Sequence, residues 1–255
     1  MKEERHKMEL DNKKKVENIY LLGAMGQIIL ISGITFVLRK LGYTMDYSTA
    51  VGMICIALGG CSTALWGIIV NVKYLNRSAS KLVYDFFNIR KSYKWYPFIL
   101  LLIGIDFSYL YFGSSLIIDQ WYAPLFIFLK AIVFGGIEEI GWRYTFQPAL
   151  EKKIGFIGAT IATFFAWGIW HYMFFYIDGS IRGIDIIDFS FGLMTSCFLL
   201  GMIYKKTSSL WICVFTHCMI NTLSQMFSGG NYFIGYVGRA IVILISCIIC
   251  FRENK

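Results

Sequence analysis

The chain has 255 residues, of which 57% are apolar, 18% aromatic and only 16% charged, and its mean hydropathy is +0.59. Soluble domains carry about 25% charged residues, so this composition excludes an ordinary soluble domain and predicts a membrane protein. The net charge of +8 invites a nucleic-acid partner, but the cations are segregated between apolar stretches, and no nucleic acid is expected.

In chain order, residues 1–16 read as a polar cytoplasmic tail and 17–255 as a single integral membrane domain. The fold class is all-α and polytopic, with about eight transmembrane helices expected near 18–38, 50–71, 97–118, 124–147, 155–177, 187–204, 208–227 and 232–251. Each approaches the length needed to cross a hydrocarbon layer of roughly 30 Å. The first is long enough to remain as an anchor rather than be removed as a signal peptide.

Between the second and third spans, residues 75–95 change character. Leu75, Ala79, Leu82, Val83, Phe86 and Phe87 recur at helical spacing among Arg77, Lys81, Arg90, Lys91 and Lys94, which predicts an interfacial helix on an anionic leaflet. Pro124 suits the first turn of a helix, and Pro148 is expected to end or kink the fourth span. Gly135, Gly136 and Gly141 allow close helix approach or local unwinding there.

With the N-terminus cytoplasmic, eighteen Lys and Arg residues fall on the inner side, against Arg39, Lys40 and Arg182 outside. That asymmetry puts both termini in the cytoplasm, in what is expected to be a bacterial cytoplasmic membrane. All seven cysteines lie within apolar spans, where they serve as packing residues rather than as a disulfide framework or a cysteine metal site.

The candidate chemistry lies inside those spans. Glu138, Glu139 and Arg143 belong to the fourth, His171 to the fifth, and His217 and Asn221 to the seventh. An ionisable side chain at membrane depth costs roughly 2.5–3.5 kcal/mol on insertion scales and so marks function by default. On a helix, Glu139 and Arg143 are four residues apart and suit a pair, while Glu138 is rotated by about 100° and is left for general-base work. His217 and Asn221 share one helix face. Each motif alone also fits a structural ion pair or a packing histidine. Together, a carboxylate and two imidazoles can hold Zn²⁺ with Glu138, His171 and His217 as ligands. Alternatively, they activate water directly while His217 and Asn221 stabilise an oxyanion.

Glu138-Glu139-xxx-Arg143, Trp167-xxx-His171 and His217-xxx-Asn221 resemble the CPBP family of intramembrane proteases, which includes CAAX prenyl endopeptidases and Abi or bacteriocin-immunity proteins. The resemblance covers about 124–227, with Trp167 where the family commonly has Phe. It implies an intramembrane endopeptidase acting on membrane-associated peptides or prenylated proteins. Glu138 and His171 would activate water, His217 and Asn221 would hold the oxyanion, and Glu139 and Arg143 would support them. Zinc and a metal-free glutamate mechanism are both open on this reading. A silent immunity or scaffold protein and an ion-coupled transporter are the competing functions. A straight fifth span would carry His171 about two-thirds of the way to the outer face, so the three groups meet only if that span is tilted or broken or if the span limits lie several residues away.

Overall fold

The computed structural model describes residues 15–251; most of the N-terminal tail, and Arg252 and Lys255 among the inner cations, lie outside the described residues. The protein is all-α, 81% helical, with one small two-stranded ribbon among the described residues. Helices α1 (Val16–Lys40), α2 (Ala50–Gly60), α3 (Ser62–Lys73), α4 (Ala79–Phe86) and α5 (Tyr96–Asp106) precede strand β1 (Ser114–Leu116). Then come α6 (Ala123–Phe134), α7 (Gln147–Asp178), α8 (Ile186–Thr207), α9 (Leu210–Met226), β2 (Phe227–Gly229) and α10 (Tyr232–Phe251).

Three of these helices, α1, α8 and α10, are long and apolar enough to cross a membrane, and α2 with α3, bent by 43° at their junction, makes a fourth candidate. They identify an integral membrane protein, yet not the eight uniform spans expected. The reasons are local. The expected span 97–118 stops as a helix at Asp106, and the chain then passes through a 3-10 turn into β1. The expected span 124–147 stops as a helix at Phe134, where two consecutive glycines follow, residues whose backbone entropy disfavours helix. Helix α9 has 17 residues, at the lower limit for crossing. Helix α7 is long, but Trp167, Trp170, His171 and Tyr172 dilute its hydropathy.

The chain divides into two compact units, Met1–Leu82 with Ile140–Phe189, and Val83–Glu139 with Ser190–Lys255. In the first, α1 and α7 run parallel and are tied at both ends. Glu17, in the first turn of α1, pairs with Lys153 of α7. At the other end Arg39 donates to the carbonyls of Tyr176 (2.5 Å) and Ile177 (3.1 Å) and lies over the Tyr176 ring. A guanidinium on the last carbonyls of a helix satisfies acceptors that have no intrahelical donor. Helix α7 bends at Gly155, whose φ of 72° lies in the left-handed region that glycine adopts without strain. The bend falls at the first residue of the expected fifth span, and the stretch that carries His171 continues as helix to Asp178. Pro148 opens α7 rather than ending the preceding helix, because the first turn needs no N–H from it.

In the second unit, α9 packs along α6, and α10 packs against α5. The indole N–H of Trp211 on α9 donates to the Tyr96 hydroxyl of α5 at 2.8 Å. Arg239 of α10 lies 3.7 Å from the Asp106 carboxylate, both largely buried. Strands β1 and β2 pair antiparallel with Ser114 opposite Gly229 and Leu116 opposite Phe227. Within 75–95, the α-helical part is the eight-residue α4, which buries Leu82 and Phe86 and exposes Val83 and Tyr84, with Phe87 exposed just beyond its end.

Candidate active site

The backbone around the two glutamates is not one helix. After α6 ends at Phe134, Gly136–Glu138 form a 3-10 turn, Glu139–Gly141 a single α turn, and Trp142–Phe146 a π-helical turn that leads into α7. The amide of Glu138 donates to the Gly135 carbonyl at 3.0 Å. Short π segments inside helices are frequent at functional sites because they re-aim side chains that a regular ladder would fix. All five residues of this one are buried. Nothing in the spacing of the sequence signals it.

The second unit holds Glu138, Glu139, His217 and Asn221. Glu138 is 3% exposed and Glu139 fully buried. His217 Nδ1 lies 2.7 Å from Glu139 Oε1, with the His217 side chain 7% exposed. Gly135 explains how α9 comes this close. A Cβ there would lie 2.5 Å from Asn221 Nδ2 and 3.0 Å from His217 Nε2. At Gly136 it would lie 2.8 Å from Val214 Cγ1 and 3.2 Å from Cys218 Sγ. Val214, His217, Cys218 and Asn221 form one stripe of α9, following helical periodicity. Two glycines in a row therefore do two things: they end α6 and they make room for the stripe that carries His217 and Asn221. The expected local unwinding and close approach are both found.

The proton on this pair decides what His217 can do. With Glu139 ionised and the imidazole neutral, Nδ1–H donates to Oε1, and Nε2 is an acceptor, the form a metal ligand takes. With one more proton on the pair, Nε2 carries N–H, the form an oxyanion donor needs. The partner that orients the ring thus also sets its chemistry. Among the described residues no group of three or more His, Cys, Asp or Glu side chains is arranged to hold a metal ion.

The first unit holds Arg143, Trp167 and His171. Arg143 is fully buried, with its guanidinium carbon 4.5 Å from the centre of the Trp167 ring, a cation–π contact strengthened by desolvation. Trp142 stands edge-on to Tyr20 at 5.5 Å and against Trp167 at 6.2 Å. His171 Nδ1 is 3.0 Å from the Trp167 carbonyl. A carbonyl only accepts, so Nδ1 carries the proton and Nε2 is the basic nitrogen. The rings of Trp167, Trp170, Phe175 and Phe189 surround the imidazole at 5.1–5.6 Å between centres. The spacing of the second motif thereby acquires a physical reason. A histidine four residues after the aromatic residue reaches that residue's carbonyl, while the aromatic ring covers Arg143.

One supporting group escaped the sequence reading. Asn71 donates through Nδ2 to the Gly67 carbonyl (2.7 Å) and to Thr145 Oγ1 (2.6 Å), and accepts from Arg77 Nη1 (2.9 Å). Thr145 in turn donates to the Ile140 carbonyl at 2.7 Å. This buried chain holds the π turn from the α3 side. Its only signal in the sequence is an amide at the end of the apolar stretch 50–71.

No curated protein matches this chain. One family model, described as type II CAAX prenyl endopeptidase Rce1-like, matches residues 120–223; this segment, which holds every candidate site residue, aligns the chain with the CAAX-type proteases that its three motifs resemble.

Proposed function

We propose that the protein is an intramembrane endopeptidase that hydrolyses peptide bonds of membrane-associated or lipidated substrates, with Glu138 and His171 activating the water. The observation that carries this reading is the buried Glu139–His217 pair at 2.7 Å, packed with Asn221 on Gly135 beside Glu138. A structural ion pair alone gives no reason for an amide and an imidazole to be brought onto the backbone of a glycine next to a second buried carboxylate.

In the proposed reaction Glu138 takes one proton from water, assisted by His171 Nε2, as the water oxygen bonds to the scissile carbonyl carbon. The oxyanion that forms is held by Asn221 Nδ2–H and by His217 Nε2–H, with the Glu139–His217 pair holding the extra proton. The C–N bond then breaks, and the proton held by Glu138 passes to the leaving amine. On the motif resemblance, Arg143 has a supporting role. This reading also takes both termini as cytoplasmic in a bacterial cytoplasmic membrane, on the asymmetry of Lys and Arg between the two sides.

The test is cleavage of a library of membrane-anchored and prenylated peptides by the purified chain and by Asn221→Ala. Loss of an oxyanion donor should lower kcat by roughly 10²–10³ with KM little changed. An unaltered kcat would remove Asn221 from the reaction.

A further inference from the structure

Outside the three motifs, the first unit contains a helix break whose contacts lead to His171. Helix α2 ends on Gly59 and Gly60, Cys61 follows, and α3 sets off from Ser62 at 43° to it. Gln27 of α1 spans the break: its Nε2 donates to the Leu58 carbonyl at 2.7 Å, and its Oε1 accepts from the Trp66 indole at 3.1 Å. A backbone carbonyl at membrane depth needs such a donor where a helix stops. The two glycines let α7 approach. A Cβ at Gly59 would lie 2.8 Å from Ile177 Cδ1, and one at Gly60 would lie 3.0 Å from Phe174 Cε2.

Trp170, Phe174 and Ile177 stand four and three residues apart on α7 and so share the face that meets the break. Trp170 Nε1–H donates to Ser62 Oγ at 2.8 Å, and both residues are buried. The indole stacks on Phe174, with ring centres 5.4 Å apart and planes 7° apart. It also meets the His171 imidazole edge-on, at 5.1 Å and 87°. A buried indole needs a partner for its N–H, and the packed rings supply none. The serine therefore fixes where the indole lies, and the indole forms one wall around the imidazole. The Trp167 carbonyl holds Nδ1; the Trp170 ring limits how far the imidazole plane turns about that bond.

We propose that Ser62 is a positioning residue for the reaction: through Trp170 it holds the His171 imidazole in the orientation that hydrolysis uses. The inference rests on the reading above in which His171 assists the attack of water. A reacting group displaced by about 1 Å costs up to about 10²-fold in rate. A hydrogen bond one ring away from the imidazole is therefore expected to act on kcat.

The full chain is purified in detergent with isotope-labelled imidazole rings for magnetic resonance. It has three histidines, and the signal that His171→Ala removes belongs to His171. Ser62→Ala should lower kcat on a membrane-anchored peptide by about 10- to 100-fold with KM little changed. It should also move the His171 ring resonances and leave those of the other histidines in place. Trp170→Phe, which leaves no indole N–H without a partner, should lower kcat alike, and it carries the test if Ser62→Ala does not fold. The double variant should lose no more than the worse single, because both substitutions break one link. A wild-type kcat in either folded variant, with His171→Ala inactive, would overturn this proposal alone. So would unmoved His171 resonances in Ser62→Ala, or losses that multiply in the double variant. Wild-type cleavage by His171→Ala would overturn the functional reading and, with it, the use of that orientation.

Discussion

His217 Nδ1 and Glu139 Oε1 stand 2.7 Å apart with both side chains buried, so the second carboxylate of the pair orients an imidazole and leaves Glu138 as the one assigned to water. Replacing Glu139 by Ala leaves a buried imidazole without its orienting partner. The expected result is a kcat lowered by roughly 10²–10³ and a stability loss of about 1–3 kcal/mol. Glu139→Gln, which can still hydrogen-bond Nδ1, should recover the stability but not the rate. Thermal unfolding in detergent alongside single-turnover cleavage separates the two effects.

Gly135→Ala places a methyl group 2.5 Å from Asn221 Nδ2. Overpacking of this kind costs about 1–3 kcal/mol, and the displaced group is the proposed oxyanion donor. Activity should therefore fall further than stability, with cleavage reduced at temperatures where the variant is fully folded.

Trp167→Phe and Trp167→Ala should differ sharply. The ring covers Arg143 at 4.5 Å, whereas His171 is oriented by the Trp167 main-chain carbonyl. A phenyl ring keeps a face toward the guanidinium, so Phe should leave cleavage close to wild type. Alanine opens a cavity and uncovers a buried cation, with an expected loss of roughly 3–5 kcal/mol. Melting temperatures of the two variants check this.

The motif residues were legible because ionisable groups in apolar runs are costly and rare, and because a spacing of four puts His217 and Asn221 on one face. The backbone around them was not. Hydropathy carries a straight fourth span from 124 to 147, since Gly135 and Gly136 are no more polar than their neighbours, yet the helix ends at Phe134. The third span failed for a similar reason. The apolar run continues past Asp106 through residues that form turns and β1, and an average over a window cannot see a helix end. The bend at Gly155 was one of several ways the depth of His171 left open, and nothing in the hydropathy marked its position. The link from Asn71 to Thr145 needed tertiary contacts between residues 74 apart.

Arg239 and Asp106, 3.7 Å apart and nearly buried, join α10 to α5 and belong to none of the three motifs. Removing one partner of such a pair costs about 3–5 kcal/mol, while replacing both by apolar residues is often neutral. Asp106→Asn should therefore destabilise the protein strongly. Asp106→Leu with Arg239→Met should restore most of the stability, and cleavage by the folded double variant should be unchanged. Denaturation midpoints in one detergent provide the comparison.

The most direct test is single-turnover hydrolysis of one membrane-anchored peptide by wild type and Glu138→Ala, each shown to be folded and inserted. The account predicts cleavage by the wild type and a loss of at least about 10² in the variant. Equal cleavage by the two proteins would contradict it, because no other carboxylate is assigned to the water.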